Sequence, residues 1–358
     1  GDIIESTASI SIEPDRLDIN LPTDFEFPDD GIHIRWPDGP VEQEKRLITV
    51  KLKAAQAFVR ENKLDRVSHE TPKKRLGIVA PGKAWLNVCQ AFEELNLTEA
   101  EREDLGIGVF KVAMPWPLEP TRIRTWAEGF EEILVIEEKR NLIEDQLSRI
   151  LYDLPEGQRP RLIGKQDGDG NLLVPDYGEL NGTIVAQIIA NRFLDEGQSN
   201  CLVSPAAAIK ARTADTNKPS APPERSPWFC AGCPHNSSTK VPEGSRALAG
   251  IGCHTMSVYM DRRTGAYTHM GGEGGTWIGQ APFTTAKHVF QNIGDGTYYH
   301  SGILAIRQAI ASKVNITYKV LYNDAVAMTG GQPIEGSPTV AMIAAQIFGC
   351  GTDRHRQR

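Results

Sequence analysis

The residues best suited to chemistry lie in the last third of the sequence, around an aspartate between two glycines. Gly294-Asp295-Gly296 follows one apolar stretch, and Asn323 ends a second apolar stretch 28 positions later. A helical pattern joins the two, so the segment predicts a strand–turn–helix–strand unit with both polar side chains at the carboxyl edge of a sheet, where ligands bind. Carboxylate and amide oxygens suit Mg²⁺ bound to phosphate. The unit therefore predicts a magnesium–diphosphate site.

The surroundings of Asp295 favour a cofactor site over a plain turn. The carbonyl of Ala325 can add a third oxygen ligand, and the glycines let a diphosphate approach the backbone. The helix N-terminus that follows favours negative charge. Gly-Asp-Gly in isolation usually marks only a tight turn. Asn323 and the segment Thr329-Gly330-Gly331-Gln332 beyond it strengthen the prediction of a cofactor site.

Three of the six cysteines form a second reactive group. Cys230 and Cys233 make a C-x₂-C pair, which binds a metal well because its two thiolates converge, and Cys253 follows. One interpretation is a structural zinc site completed by His254 or His235. The others are an iron–sulfur cluster, which needs a fourth thiolate, a redox-active cysteine pair, and buried thiols without a metal.

The elements that must position these residues follow an α/β pattern. From residue 76 onwards, alternating apolar strands and amphipathic helices predict a parallel sheet with helices packed on it. The predicted strands are 76–80, 107–112, 132–137 and 316–322, and the predicted helices are 46–64, 84–95, 122–130, 142–151, 182–194 and 301–312. The fold class is α/β, with two parallel-sheet domains.

The predicted domain organisation has four parts. Residues 1–75 form the end of a preceding domain or a linker, and 76–152 form the first α/β domain. Residues 153–227 connect the domains through one helix and a proline-rich linker at 214–227, and 228–358 form the cofactor-binding domain. The first residue is Gly and the C-terminus is charged, so we expect a fragment with a truncated second domain.

Composition narrows the class of protein. The chain has 358 residues and a net charge of −7, which argues against a general nucleic-acid surface. It contains no run of about 18 apolar residues and no signal-like N-terminus, so we expect neither a membrane span nor secretion. The cysteine spacing suits a metal site in a reducing compartment, so we expect a cytoplasmic protein.

Several motifs together resemble a known family. Besides the motifs already named, they include Gly250-Ile251-Gly252-Cys253, Val241 to Gly250, Met270-Gly271-Gly272-Glu273-Gly274, Gly77 to Ala84, Met114 to Pro120 and Glu137 to Arg140. In these motifs the sequence resembles the 2-oxoacid:ferredoxin oxidoreductases, and most of all the large fused indolepyruvate ferredoxin oxidoreductases. The resemblance covers most of residues 1–335.

The resemblance implies a transketolase C-terminal-like domain followed by a thiamine-diphosphate-binding fold. It implies Mg²⁺ ligation by Asp295, Asn323 and the carbonyl of Ala325. It implies cofactor contacts from Gly252, Cys253, His254, Gly294, Gly296, Thr297 and Thr329. It also implies a [4Fe–4S] cluster on Cys230, Cys233 and Cys253, with a fourth cysteine farther downstream. Cys350 lies only 18 positions after Gln332, in a segment that departs from the family.

The implied reaction is the coenzyme A-dependent oxidative decarboxylation of a 2-oxo acid, such as indolepyruvate or another aryl pyruvate. Electrons would pass through the cluster to ferredoxin, and the full-length protein would be a homo-oligomer. The activating glutamate is expected outside this chain, so no catalytic residue is assigned, although His254, His269 and His300 could act near the substrate. The alternatives are a non-redox thiamine-dependent decarboxylase or synthase, and a zinc-stapled binding module.

Overall fold

A computed structural model of the protein describes residues 18–194, 201–216, 226–336 and 338–352. The chain divides into two compact units, Gly1–Pro219 and Ser220–Arg358. Part of the predicted proline-rich linker lies outside the described residues.

The first unit begins with a helix interrupted by one wide turn. Helix α1 (Pro40–Arg46) passes through a π-helical turn (Leu47–Lys51) into α2 (Leu52–Glu61). The predicted helix over 46–64 therefore starts earlier and ends earlier than expected. Pro40 occupies the first turn, where proline is favoured because its fixed φ suits a helix and its missing N–H is not needed.

A five-stranded sheet forms the centre of this unit. Its strand order is β1-β3-β2-β4-β5, with β1 antiparallel to β3 and all other pairs parallel. The strands are β1 (Arg66–His69), β2 (Leu76–Pro81), β3 (Ile107–Val112), β4 (Glu132–Val135) and β5 (Arg161–Ile163). The helices are α3 (Gly82–Glu94), α4 (Glu99–Leu105), α5 (Pro120–Ala127), α6 (Leu142–Tyr152), α7 (Gly182–Leu194) and α8 (Val203–Thr216).

The first domain extends beyond the predicted 76–152 in both directions. Strand β1 joins one edge of the sheet and β5 the other, and α7 and α8 pack on its helices. The segment predicted as a connection also holds two helices rather than one. Leu202 and Ile209 are buried in the same core as the central strand β2, so this segment belongs to the domain.

The core of this unit covers both faces of the sheet. Ile78 and Ala80 of β2 face α3 and α7, whereas Val79 and Ile133 face α5 and α6. Parallel strands buried on both faces appear in sequence as continuous apolar runs, which is why their positions could be predicted. Full burial of a side chain such as Ile78 contributes about 1.5–3 kcal/mol.

The second unit contains a four-stranded, fully parallel sheet. The strand order is β7-β6-β8-β9, so β8 lies between β6 and β9. Its strands are β6 (Ala247–Leu248), β7 (Thr264–Gly265), β8 (Val289–Gly294) and β9 (Ile316–Leu321), followed by a hairpin of β10 (Ala325–Val326) and β11 (Gln332–Pro333). The helices are α9 (His235–Ser238), α10 (Gly275–Gln280), α11 (Asp295–Thr297), α12 (Ile303–Ser312) and α13 (Val340–Thr352), with a 3₁₀ helix at Cys253–Tyr259 and a π-helical turn at Tyr298–Gly302.

The predicted α/β fold class, with two parallel-sheet domains, is confirmed. In the second unit, Ile293 of β8 packs against Tyr298, Ile306 and Ile343, so helices cover that face of the sheet. Within the described part of the chain, no helix is both long enough and apolar enough to cross a membrane.

Candidate cofactor site

Asp295 is the centre of the site, at the point where β8 ends and α11 begins. Its side chain is buried, with 2% of its surface exposed. Oδ1 accepts a hydrogen bond from the N–H of Gly296 (3.0 Å), and Oδ2 accepts two from the N–H groups of Asn323 (2.9 Å) and Asp324 (2.6 Å). The carboxylate therefore joins the ends of two neighbouring strands.

The turn after β9 is shaped by its contact with Asp295. Asp324 has φ +56°, a left-handed conformation that an aspartate adopts at some energetic cost. Oδ1 of Asn323 accepts the N–H of Ala325 at 3.2 Å, which fixes the amide oxygen at the strand end. Each oxygen of an ionised carboxylate has two lone pairs, so Oδ1 of Asp295 keeps one for another ligand. The remaining lone pair of Oδ1 and the amide oxygen of Asn323 are oxygen ligands that suit a hard cation.

A cavity of about 460 Å³ opens beside this carboxylate. Its lining is mostly apolar, with a small number of polar groups, as is usual for cofactor sites. All ten predicted cofactor-contact residues line it, nine of them being Gly252, Cys253, His254, Gly294, Asp295, Gly296, Asn323, Ala325 and Thr329. Thr297, the tenth, also lines it and is buried at the end of α11. The structure thus brings together residues that are far apart in sequence.

Two glycines make room for the imidazole of His254, and a third lies at ordinary contact distance. A Cβ atom added at Gly250 would lie 2.6 Å from Nε2 of His254, and one added at Gly252 would lie 2.8 Å from its Cε1. Gly252 also has φ +148°, which favours glycine. Gly294 stands slightly farther away, at 3.5 Å from Cε1 by the same measure.

His254 is a neutral donor or acceptor with an unused ring atom. Burial, with a smaller contribution from His235, lowers the pKa of His254 to about 4. Its Nε2 is buried and makes no hydrogen bond to any described residue. A buried polar atom without a partner is destabilising, so this nitrogen fits a polar group of a bound ligand.

The Thr-Gly-Gly-Gln segment forms the turn of the hairpin beside the cavity. Gly330 and Gly331 have φ values of +125° and +76°, so both positions require glycine for the turn itself. The Thr329 hydroxyl donates to Oε1 of Gln332 at 2.7 Å, and the Gln332 amide donates back to the carbonyl of Thr329 at 2.8 Å. The segment therefore holds Thr329 at the cavity wall.

The three cysteines predicted to share a metal do not converge. Cys230 is exposed, whereas Cys233 and Cys253 are half-buried. Among the described residues, no group of three or more His, Cys, Asp or Glu side chains is arranged to hold a metal ion. The expected grouping of these cysteines is thus absent from the described structure, and the arrangement does not by itself fit an iron–sulfur cluster. The side chain of Cys350 lies outside the described residues.

The segment that carries the C-x₂-C pair, residues 229–240 and here called the cysteine segment, lies against the cofactor side of the sheet. The ring of His235 meets that of His254 edge-on, with centroids 6.1 Å apart. The Lys319 ammonium of β9 donates to the carbonyls of Ser238 (2.9 Å) and Lys240 (2.6 Å). Cys253 lines the cavity next to His254. The cysteine segment and the cavity are therefore neighbours.

Several residues at the site were missed in the sequence. Asn292 of β8 is fully buried, and neither polar atom of its side chain has a described partner. Its position could have been found, because it lies two residues before Gly294 and so on the same face of the strand. Asn292 does not itself line the cavity, whereas Tyr299, Met328 and Ile334 do. No local pattern marks these three, because the hairpin and the π-helical turn bring them to the cavity.

A buried carboxylate at the carboxyl edge of a parallel sheet, beside a glycine-lined cavity, is the arrangement expected of an α/β domain that binds a diphosphate cofactor. Residues 250–346 match the family model described as "Thiamine pyrophosphate enzyme, C-terminal TPP binding domain". Residues 66–216 match the family model described as "Indolepyruvate oxidoreductase domain". The two matches assign an indolepyruvate oxidoreductase domain to residues 66–216 and a thiamine pyrophosphate-binding domain to residues 250–346.

Curated relatives agree with these two domain matches. The chain is 27% identical over 310 residues to the "Indolepyruvate oxidoreductase subunit IorA" of Methanothermobacter marburgensis, covering 83% of this chain and 45% of the relative. It is 28% identical over 282 residues to the IorA subunit of Thermococcus kodakarensis, covering 74% of this chain and 40% of the relative. The chain therefore spans less than half the length of these relatives.

A solved structure described as "Split gene transketolase, inactive beta4 tetramer" is 20% identical and covers 35% of this chain and 39% of that chain. Its TM-score of 0.25 is too low to support an argument.

Proposed function

We propose that this chain binds thiamine diphosphate through Mg²⁺ and forms part of an enzyme that oxidatively decarboxylates a 2-oxo acid. The observation that carries the proposal is the Asp295 carboxylate, buried at the strand edge and held by three backbone N–H groups beside the cavity. Asp295, Asn323 and the carbonyl of Ala325 would be the protein ligands of the cation. The IorA relatives support an aryl pyruvate such as indolepyruvate as substrate.

Each residue of the site has a role that follows from its position. Asp295 would bind the cation at the ends of β8 and β9, because its two oxygens accept hydrogen bonds from the backbone after both strands. Gly252 and Gly294 leave backbone exposed to the diphosphate, and the N-terminus of the helical segment after Gly294 favours its charge. Nε2 of His254 gains the hydrogen-bond partner that it lacks.

Thiamine diphosphate, when bound, supplies a carbon nucleophile and an electron sink for the loss of CO₂ from a 2-oxo acid. The apolar walls of the cavity, which include Met270, Leu321 and Met328, would reduce the access of water to a bound cofactor. Exclusion of water strengthens the electrostatic interactions inside a site and prevents side reactions. The walls also accommodate an apolar substrate side chain.

We further propose coenzyme A as acyl acceptor, ferredoxin as electron acceptor, a homo-oligomeric full-length enzyme and a cytoplasmic location. A [4Fe–4S] cluster on Cys230, Cys233 and Cys253 belongs to this proposal, supported by the C-x₂-C spacing and by the position of the cysteine segment beside the cavity. Because the three thiolates do not converge in the described structure, no reaction step is derived through the cluster.

Metal analysis of protein purified without oxygen tests the cluster. Iron with acid-labile sulfide supports it, and both should fall in Cys230→Ser. Stoichiometric zinc without iron would exclude the cluster and support a structural metal on the same segment.

Calorimetry tests the cofactor proposal. Titration of thiamine diphosphate into the full chain should give saturable binding with Mg²⁺ and none with excess EDTA. Asp295→Ala should abolish the Mg²⁺-dependent part, because a charge-assisted ligand is lost. Equal affinity with and without Mg²⁺ would contradict the assignment. The surface variant Asp261→Ala, in the same unit, is the matched control because this aspartate is exposed.

A further inference from the structure

The proposed cavity has little positive charge with which to bind an anionic substrate. Its described lining contains the acidic side chains of Asp295 and Glu335 but no lysine or arginine. A bound Mg²⁺ is balanced by the diphosphate and by Asp295. Among the side chains of this chain that line the cavity, the histidines can donate a hydrogen bond to the carboxylate of a 2-oxo acid.

Three histidines line the cavity, and two of them lie on the sheet side. His254 is buried among Gly250, Gly252 and Gly294, where the diphosphate is proposed to bind. His235 contacts His254 ring to edge and belongs to the cysteine segment. These two are placed to meet the phosphate end of a cofactor, which leaves the third for the substrate.

His300 also lines the cavity, and its ring makes a hydrogen bond to the neighbouring Ser301. It is exposed to the cavity from the π-helical turn Tyr298–Gly302, which follows α11 directly. Such turns inside helices frequently occur at functional sites. A hydrogen bond of 2.5 Å joins Nδ1 of His300 to the hydroxyl of Ser301. With Nδ1 bound in this way, Nε2 is the ring atom left for a ligand.

The hydroxyl of Ser301 is itself confined by a glycine loop. A Cβ atom added at Gly271 would overlap Oγ of Ser301, and Gly271 has φ +91°. The loop is fixed by Glu273, whose Oε2 accepts the N–H of Gly271 at 2.7 Å and whose carbonyl accepts the hydroxyl of Tyr318 at 3.0 Å. The Gly-Gly-Glu-Gly motif therefore packs closely against the hydroxyl of Ser301.

We propose that His300 binds the carboxylate of the 2-oxo acid substrate through Nε2, and that Ser301 is the positioning residue that orients its imidazole. The inference deepens the proposed function and rests on it. When the Ser301 hydroxyl donates to Nδ1, the ring proton is on Nε2 and points to a substrate oxygen. The Met270-Gly271-Gly272-Glu273-Gly274 motif then has a role, since it fixes Ser301.

The test measures binding of phenylpyruvate to the full chain saturated with thiamine diphosphate and Mg²⁺. His300→Leu removes the donor, His300→Gln keeps an amide donor, and Ser301→Ala removes only the positioning hydroxyl. Loss of one hydrogen bond to a carboxylate predicts affinity about tenfold weaker for His300→Leu, a change of about 1.4 kcal/mol. His300→Gln should recover most of it, and Ser301→Ala should fall between the two.

Two controls separate this inference from a structural effect and from the proposed function. Phenylacetone, which lacks the carboxylate, should bind equally to wild type and His300→Leu, and the affinity for thiamine diphosphate should not change in any variant. Absence of thiamine diphosphate binding by wild type would overturn the proposed function. If the cofactor binds normally, two results would overturn only the role of His300. One is that wild type fails to bind phenylpyruvate, and the other is that His300→Leu binds it as tightly as wild type.

Discussion

Substitution of Asp295 should destabilise the second unit even without cofactor, because the carboxylate is a structural link as well as the proposed cation ligand. Asp295→Ala removes the acceptor of three backbone N–H groups, those of Gly296, Asn323 and Asp324. A hydrogen bond to a charged group contributes about 1.5–3 kcal/mol. Asn323 and Asp324 lie in an exposed turn, where water can replace part of the lost hydrogen bonds. We therefore expect the unfolding free energy to fall by about 2–4 kcal/mol.

The measurement is made in EDTA, without thiamine diphosphate. Urea unfolding gives the change in free energy, and hydrogen exchange of the amides of Gly296, Asn323 and Asp324 gives its location. Asp295→Asn keeps an acceptor oxygen and should lose about half as much. Asp261→Ala, an exposed aspartate of the same unit, should stay within about 0.5 kcal/mol of wild type.

The reasoning would be refuted by one pattern of results. If Asp295→Ala unfolded at the same urea concentration as wild type, and its amides at the ends of β8 and β9 exchanged no faster, the carboxylate would not link the strands. Loss of cofactor binding alone would then assign Asp295 to cation ligation only. The two measurements therefore separate its structural role from its ligand role.

Three further changes have expected outcomes. Gly250→Ala should lower the unfolding free energy by about 1–3 kcal/mol, because the added Cβ would clash with backbone and with the ring of His254. Gly279→Ala is the control and should not be destabilising, because there is open space around Gly279. Thermal unfolding of the two variants makes the comparison. Lys319→Met should leave two carbonyls of the cysteine segment without a hydrogen bond and lower the unfolding free energy by about 1–3 kcal/mol. Thiol labelling of the cysteine segment should then be faster. Unchanged labelling would contradict the conclusion that Lys319 holds this segment on the sheet. Burial is the main cause that lowers the pKa of His69 below its ordinary 6.5 in the folded chain. Below pH 6.5 the unfolded chain therefore binds a proton at His69 more readily than the folded chain does, so stability falls as the pH decreases. The lowered pKa values of His235 and His254 contribute in the same direction, so His69→Gln should reduce that slope in urea unfolding between pH 7 and 5 without removing it, and an unchanged slope would exclude His69 as a contributor.

The parallel strands were predictable because burial on both faces leaves an unbroken apolar run. Ile107–Val112 has the same bounds in sequence and structure, and Leu76–Pro81 differs by one residue. The edge strand Arg66–His69 was not found, because its residues alternate between exposed and partly exposed positions and form no apolar run. Helix α8 was also missed, since proline and polar residues dilute its pattern.

The candidate site was predictable only where its chemistry is local in sequence. Asp295 and Asn323 could be placed together because one strand–helix–strand unit separates them, and parallel strands end at a common edge. The spacing of Cys230, Cys233 and Cys253 could not show whether the thiols converge, since their positions depend on how the cysteine segment packs on the sheet. His300 was named without a role, because the hydrogen bond to Ser301 and the glycine loop behind it depend on tertiary packing.

The link between Asp295 and the end of β9 has a consequence for how the site is acquired during folding. The residues proposed to hold the cation all lie on one continuous stretch, from Val289 to Val326, in which two adjacent strands pair in parallel register. Contacts of short sequence separation form early, because little chain entropy is lost in closing the loop. The cation half-site is thus complete as soon as this crossover closes. Added Mg²⁺ and cofactor should then act on the refolding rate as well as on the final stability.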